Sequence, residues 1–221
     1  MVVSMNRILV FSDIHGEYDK LIKLLNKMKY NSDNDTIIFL GDAIDRGPNS
    51  KKVVKKMKEL KKEGNIILNG NHEDMAWQYA KHNVKNKAST YDPYLYLYNG
   101  GRETLRSYEG DLKEFYNDMK WFNNQPKVYT LETNSDEFVF VHAGLKPNVP
   151  LYAQDEEDLL WIREEFFYHN WNDYDKKIIV GHTPVEQAEF LGNIIMIDTG
   201  CGKGGYLTGL DLLNGKIYTV K

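Results

Sequence analysis

Asp13 and His15 stand two residues apart where a short β-rich run gives way to a turn. Alternate side chains of an extended chain share one side, so this carboxylate and imidazole can approach a single metal ion together. Asp42 ends the next such run and can add a carboxylate oxygen, terminal or bridging. Asn71, His142 and His182 follow singly at the ends of three more runs. The set mixes nitrogen and oxygen donors with no thiolate, which suits Mn, Fe or Zn better than Ca or a structural zinc. Six donors are too many for one catalytic ion with an open position. They suit two ions sharing a carboxylate, the arrangement that clamps the attacking and leaving oxygens of a phosphoryl displacement.

Each piece alone is weak. Asp-x-His arises by chance, and a lone histidine is more often a satisfied core or surface residue. The shared setting carries the argument, because His15, His72, His142 and His182 all lie at run ends within two residues of Gly or Asn. His82 and His169 end no such run and read as surface histidines.

Such residues act together only if the chain delivers them to one place. Residues 7–12 run into Asp13-Ile14-His15-Gly16, 36–40 into Gly41-Asp42-Ala43-Ile44-Asp45-Arg46-Gly47, and 65–68 into Asn69-Gly70-Asn71-His72-Glu73. Later, 138–141 run into His142-Ala143-Gly144, 177–180 into Gly181-His182-Thr183-Pro184, and 194–197 into Asp198-Thr199-Gly200. Apolar runs of this length bounded by turn residues are buried strands. Between the first three, Leu21, Leu24, Leu25, Met28 and then Val53, Val54, Met57, Leu60 repeat at helical spacing, with Ser50 placed as an N-cap and Gly64 just past the end. Strand, helix, strand, helix, strand is the grammar of an α/β sheet, whose ligands bind beyond the carboxyl ends of the strands. All six polar clusters lie at such ends and can converge on one rim.

Residues 74–125 break this grammar and read as a mostly helical insertion, a cap over the rim, carrying Tyr91, Tyr94, Tyr96 and Tyr98. Core packing is the simpler role for those tyrosines. Residues 126–141 suggest a hairpin turning at 133–136, and Asn214-Gly215 marks another between 206–213 and 216–220. The 221 residues, 42% hydrophobic and 27% charged, form one domain on this reading, 1–221, with residues 1–4 an extension if Met5 is an alternative start. The net charge of -4 disfavours a generic nucleic-acid binder, and the lysine-rich face of residues 51–62 reads as solvated. One cysteine permits no internal disulfide, and no run is long enough to span a membrane. A cytoplasmic, monomeric protein is the expectation.

In this order, Asp-x-His-Gly, Gly-Asp-x-x-Asp-Arg-Gly, Gly-Asn-His-Glu, His-Ala-Gly and Gly-His-Thr resemble the phosphoprotein phosphatase (PPP) family of metallophosphoesterases, its small bacterial and phage members above all. The matching blocks run from residue 13 to about 209, and the Gly-Asp-x-x-Asp-Arg-Gly and Gly-Asn-His-Glu blocks are highly specific. The resemblance implies an α/β fold, a calcineurin-like β-sandwich with flanking helices and a helical cap insertion, whose later strands form a second sheet facing the first. It implies two divalent ions, Mn expected in vitro with Fe or Zn possible. Asp13, His15 and Asp42 would hold one, and Asp42, Asn71, His142 and His182 the other, with Asp42 bridging. His72, oriented by Asp45, would protonate the leaving group, and Arg46, Arg163 and Asn71 would bind the phosphate. A serine alkoxide leaves poorly, so a positioned imidazolium is worth roughly 10²–10⁴-fold, and a carboxylate on its other nitrogen should raise its pKa.

The function so implied is hydrolysis of phosphoserine or phosphothreonine in proteins, or of small phosphoesters, by in-line attack of a metal-bridging hydroxide. The alternative is a hydrolase of diadenosine tetraphosphate or of a nucleic-acid phosphodiester on the same fold; a phosphate-sensing module without turnover would not need His72, Asp45 and Arg46 all intact. A cysteine-based phosphatase needs an arginine six residues after its nucleophile, whereas position 207 is Leu, so Cys201 reads as a small packed residue. Lys203 stands where relatives usually have an apolar or aromatic residue, and solvation is its simpler reading. Arg102 and Arg106 are further candidates for distal phosphates, against a plain helix start after Asn99-Gly100-Gly101.

Overall fold

The computed structural model describes residues 7–90 and 92–221, so the proposed extension at 1–4 and Tyr91 lie outside the described residues. The three early runs are strands β1 (Arg7–Phe11), β2 (Asp35–Phe39) and β3 (Ile66–Ile67), separated by helices α1 (Tyr18–Met28) and α2 (Ser50–Lys62). β1 pairs parallel with β2, and β2 with β3, as the strand–helix alternation predicts. Helices α3 (Asn71–Lys85), α4 (Arg102–Ser107) and α5 (Leu112–Asn123) make up the insertion. A second sheet is built from β4 (Val128–Glu132), β5 (Glu137–Val141), β6 (Lys177–Val180), β7 (Glu189–Leu191) and β8 (Ile194–Met196), with α6 (Glu156–Trp161) and α7 (Glu164–Phe167) between β5 and β6. The last strands, β9 (Leu207–Asp211) and β10 (Lys216–Val220), correct the expectation that all later strands join that sheet. They return to the first, giving the orders β10-β9-β1-β2-β3 and β4-β5-β6-β8-β7.

Strand periodicity explains the layering. Val10, Ile38 and Leu40 face Phe138, Phe140, Ile179 and Ile195 between the sheets. Their neighbours Leu9, Phe11, Ile37 and Phe39 point the other way, into the helices, and Val139, Val141, Ile178 and Val180 cover the second sheet's outer face. Both sheets are therefore coated on two faces, which is why their strands are continuous apolar runs rather than alternating ones. α1 buries Leu21, Leu24, Leu25 and Met28 against this stack, roughly 1.5–3 kcal/mol of hydrophobic stabilisation for each fully buried side chain.

Two local expectations change. Ser50 does not cap α2: the N-cap position is Asn49, with no side-chain bond, and the Ser50 hydroxyl accepts the Asp45 N–H at 3.1 Å. The Asn214-Gly215 turn lies within a four-residue connection, because Asp211 pairs with Lys216 and the Leu212 N–H still reaches the Ile8 carbonyl at 2.8 Å. The insertion is helical as expected but is no loose cap. Tyr96, Tyr108, Phe115, Met119 and Phe122 are buried in the same cluster as α1 and α2. Tyr96 thus fills core, while Tyr94 and Tyr98 are 52% and 82% exposed. Along α2, Lys51 and Lys56 pair with Glu114 and Glu59, and Lys58 with Asp118. No helix among the described residues is long and apolar enough to cross a membrane.

Candidate metal centre

The carboxyl ends of β1, β2, β5 and β6 meet at one rim, and the residues leaving them bend sharply inward. Asp13, His15, Asp42, Asp45, Arg46 and His182 all have positive φ, between 48° and 75°. They are six of the ten non-glycine residues with that conformation among the described residues. An L side chain in the left-handed region is strained, and such strain persists only where the surroundings hold it. Here Glu73, buried in the first turn of α3, supplies much of the hold. Its carboxylate accepts the N–H groups of Asp42 at 2.9 Å, Ala43 at 2.7 Å, Ile44 at 3.2 Å and Gly70 at 3.0 Å. Gly70 must lack a side chain, because a Cβ there would collide with Asp42.

Asp42 lies at the middle of the resulting cluster. Its Oδ1 is 3.4 Å from His142 Nε2, and its Oδ2 is 3.7 Å from His15 Nε2 and 3.9 Å from His72 Nε2. Two groups of ligand-type atoms form around it, each within 4.8 Å: His15, Asp42 and His72, and Asp42, His142 and His182. Asp13 Oδ1 stands 3.8 Å from His15 Nε2, its other oxygen held by the Ser12 hydroxyl and the His182 N–H. Asn71 Oδ1 lies 2.8 Å from His142 Nε2 and 3.0 Å from His182 Nδ1. Every one of the six expected ligands is present and buried.

The proton inventory shows why a cation fits. His142 Nδ1 donates to the Leu40 carbonyl at 3.0 Å and His15 Nδ1 to the Ile44 carbonyl at 2.9 Å, so both Nε2 atoms carry lone pairs. Those lone pairs face the oxygens of Asp13, Asp42 and Asn71. Acceptors converging on acceptors in a buried space repel one another until a positive ion lies between them. Burial pushes Asp13 up, with nearby Asp198 adding to it, and pushes Asp42 up with Asp13 and Glu73 adding. It drives His15 and His182 down and His142 down to about 3, so the imidazoles stay in the neutral form that metals bind.

Beside this cluster His72 Nδ1 sits 2.6 Å from Asp45 Oδ2. Asp45 is itself fixed by α4: the Thr104 hydroxyl donates to its Oδ1 at 2.7 Å. Arg46 lies across the front, donating to His15 Nε2 at 2.5 Å and His72 Nε2 at 2.9 Å, with its own N–H on the Gly100 carbonyl. The expectation that a carboxylate raises the His72 pKa is overturned. Burial, then Arg46 and Lys203, push it down, and burial lifts Asp45 to about 8. Arg163 is exposed on the other side, donating to Thr183 Oγ1 at 2.9 Å.

The sequence from residue 6 to residue 213 matches the family of calcineurin-like phosphoesterases. The chain belongs to that family. Among its relatives, serine/threonine-protein phosphatase 2 of Salmonella typhimurium is 30% identical, covering 90% of this chain and 89% of its own length. The asymmetrical bis(5'-nucleosyl)-tetraphosphatase PrpE of Bacillus velezensis is 28% identical over 90% of this chain and 86% of its own. A solved structure of a candidate diadenosine tetraphosphatase superposes with a TM-score of 0.72 at 20% identity, covering all of this chain and 95% of its own, a likeness of fold.

Within this calcineurin-like phosphoesterase, three residues of the centre escaped the sequence reading as site residues. Glu73 was visible inside Gly-Asn-His-Glu, but three of its four N–H partners come from a loop about 30 residues away. Thr104 gave no signal in its helix. Asp198 is buried at a strand end, and the same strand-end pattern that found His142 and His182 could have singled it out. Arg106, offered for distal phosphates, is instead paired with Glu103 at 2.8 Å. Cys201 is buried, its thiol pushed up to about 12 by burial, so it is no nucleophile.

Proposed function

We propose that this chain is a two-metal phosphomonoesterase that hydrolyses phosphoserine and phosphothreonine in proteins, with His72 as proton donor to the leaving alkoxide. The observation that carries this reading is the His72–Asp45 pair, buried beside the ligand cluster with His72 Nε2 turned toward it along Arg46. Asp13, His15, Asp42, Asn71, His142 and His182 would hold two divalent ions, which, when bound, supply Lewis-acid polarisation of the phosphoryl group and acidify a nucleophilic water. The remaining chemistry belongs to side chains. Asp45, anchored by Thr104, bonds His72 Nδ1 and holds the ring in place with Nε2 toward the cluster. A phosphate dianion in front of Nε2 is the counter-charge that loads the second proton, which His72 then gives to the departing oxygen. Arg46 swings from the imidazoles to the phosphoryl oxygens, where its planar fork meets two of them, and Arg163 approaches from the His182 side.

A cleft of about 640 Å³ lies between α3 and α6, lined by Leu95, Leu160 and Trp161 with the carboxylates of Asp74, Glu156 and Glu157. The Trp161 ring, one wall of the cleft, stands 6.2 Å from the His182 ring. Acidic walls repel a polyphosphate tail and suit a peptide with basic or apolar neighbours around its phosphoresidue. The second reading is a dinucleoside tetraphosphatase, supported by the activity named for the Bacillus velezensis relative and by the extra cation Lys203. Turnover by metal-stripped, Mn-reconstituted protein on a phosphoserine peptide and on diadenosine tetraphosphate side by side decides between them. Higher kcat/KM on the peptide is the expected result; preference for the dinucleotide overturns the protein-phosphatase reading, and silence on both overturns the substrate class.

A further inference from the structure

The insertion meets the rim beyond β2 at two consecutive residues, Asp45 and Arg46. Both have left-handed backbone, with φ of 75° and 67°, and the insertion takes the N–H of each. The Arg46 N–H reaches the Gly100 carbonyl at 3.2 Å, and the Asp45 N–H reaches Thr104 Oγ1 at 2.9 Å. So close an approach requires glycine at 100, where a Cβ would stand 2.8 Å from the Arg46 nitrogen. Strained residues persist only where their neighbours over-determine them, and here those neighbours include the insertion.

Thr104 holds more than backbone. It is fully buried, as are Ser50 and Asp45. A threonine hydroxyl has one proton and two lone pairs, and each has a place here. The proton goes to Asp45 Oδ1 at 2.7 Å, one lone pair takes the Asp45 N–H, and the other faces Ser50 Oγ at 2.9 Å. One oxygen thus ties the backbone N–H and the carboxyl group of the same residue, which fixes the side-chain torsions between them. Asp45 Oδ2 is left aimed at His72 Nδ1, 2.6 Å away. The contacts run without a gap from α4 through Asp45 to His72, and Thr104 hydrogen-bonds none of the six candidate ligands.

We infer that Thr104 is a positioning residue for the proton donor: its hydroxyl, acting through Asp45, sets the direction of the His72 ring and makes the insertion a working part of leaving-group protonation. The inference rests on the reading of His72 as proton donor given above. Proton transfer needs the donor within hydrogen-bond reach of the departing oxygen and aligned on it. A carboxyl group free to turn would let the imidazole drift, whereas one locked at its other oxygen keeps Nε2 on one line. A displacement of about 1 Å can cost on the order of 10²-fold in rate. Losing the Thr104 hydroxyl should therefore fall on esters whose leaving group needs a proton, and spare metal content and esters whose leaving group departs unaided.

The test compares Mn-loaded wild-type protein with Thr104→Val and Thr104→Ala, which lack the hydroxyl, Thr104→Ser, which keeps it, His72→Asn, and the Thr104→Val/His72→Asn double variant. The substrates are phenyl phosphate and p-nitrophenyl phosphate. Thr104→Val and Thr104→Ala should lower kcat on phenyl phosphate about tenfold more than on p-nitrophenyl phosphate with KM little changed, Thr104→Ser should recover most of that loss, and Thr104→Val should add nothing once His72 is gone. A selective loss in His72→Asn without one in the hydroxyl-free variants overturns the Thr104 assignment alone, as does a full further loss in the double variant. Equal loss on both esters in His72→Asn itself overturns the proton-donor reading and the Thr104 assignment with it. A readout independent of turnover is the proton between His72 Nδ1 and Asp45 Oδ2, a low-field NMR resonance of the metal-free protein identified by its absence in His72→Asn. It should shift or broaden in Thr104→Val and Thr104→Ala and stay in place in Thr104→Ser; an unmoved resonance in the hydroxyl-free variants overturns the assignment.

Discussion

The two ends of the same strands have opposite electrostatic designs. Where β1, β2, β5 and β6 begin, charges cancel locally: Arg7 pairs with Asp35 at 2.6 Å, Lys177 with Asp136 at 2.7 Å, and Lys176 with Glu137. Where they end, Asp13, Asp42, Asp45 and Asp198 are buried beside neutral imidazoles with no Lys or Arg ion pair among the described residues, and Arg46 bonds the rings of His15 and His72 instead. One end is finished by its own side chains, and the other is finished only by something that arrives. The difference shows how one scaffold separates stability from chemistry: exposed pairs such as Lys177–Asp136 contribute little on their own, while buried unpaired carboxylates are costly unless a cation repays them.

Asp42→Asn should break the contrast most completely. Metal content and kcat/KM should both fall by more than about 100-fold, beyond what losing an outer partner costs, while the metal-free protein melts no lower than wild type, having lost a buried charge. Full metal occupancy measured by elemental analysis would contradict the bridging role. Next in size, His72→Asn should cost roughly 10²–10⁴-fold in kcat on a phosphoserine peptide but far less on p-nitrophenyl phosphate, whose leaving group needs little protonation. Equal losses on both substrates would remove the proton-donor assignment. Glu73→Gln keeps the shape but turns an acceptor-only group into one that must point an NH₂ at backbone N–H groups. It should weaken metal affinity about 10–100-fold, read by chelator competition, with kcat at saturating metal changed much less.

The smaller effects concern folding. Asp45 holds its proton up to about pH 8 in the folded protein, well above its ordinary value of 3.8. A group that binds its proton more tightly folded than unfolded favours folding at low pH, and that contribution is lost as pH rises from about 4 to 8. Metal-free Asp45→Asn should therefore gain on metal-free wild type across that window, by on the order of a few kcal/mol in urea titrations; parallel pH curves would refute the buried-carboxyl account. Smallest of all, Lys177→Ala at the opposite rim should cost under about 1 kcal/mol and leave turnover and metal content intact. A loss of activity there would mean the two ends are not independent.

Much of the centre was legible because its candidate ligands follow strands directly, and a strand is a short-range pattern. Asp13, His15, Asp42, Asn71, His142 and His182 could be named from run ends, and the structure gathers them. What escaped depends on contacts between distant segments. The left-handed backbone at Asp13, His15 and His182 leaves no mark in residue type, since these are not glycines. The Glu73 clamp joins a helix start to a loop 30 residues earlier, and Thr104 reaches Asp45 from 59 residues away. Ser50 looked like a cap because serine before a helix usually is one; the network around Asp45 claimed its hydroxyl instead. The return of β9 and β10 to the first sheet was hidden for the same reason: a hairpin signal shows that two strands pair with each other, not which sheet they join.

That return has a consequence for the order in which the protein is made. β1, which carries Asp13 and His15 at its tip, takes β9 as one of its two flanking partners, with Leu9, Val10 and Phe11 opposite Asp211, Leu210 and Gly209. During synthesis the ribosome therefore releases the first proposed ligands long before the strand that completes their seat. Until residue 211 has cleared the exit tunnel, the half-built sheet offers an open edge along β1, and the acidic rim above it is an unfinished trap for ions. Loading of the centre is thus tied to the arrival of β9, and a nascent chain arrested before Leu207 should hold metal poorly while one released with β9 and β10 in place holds it fully.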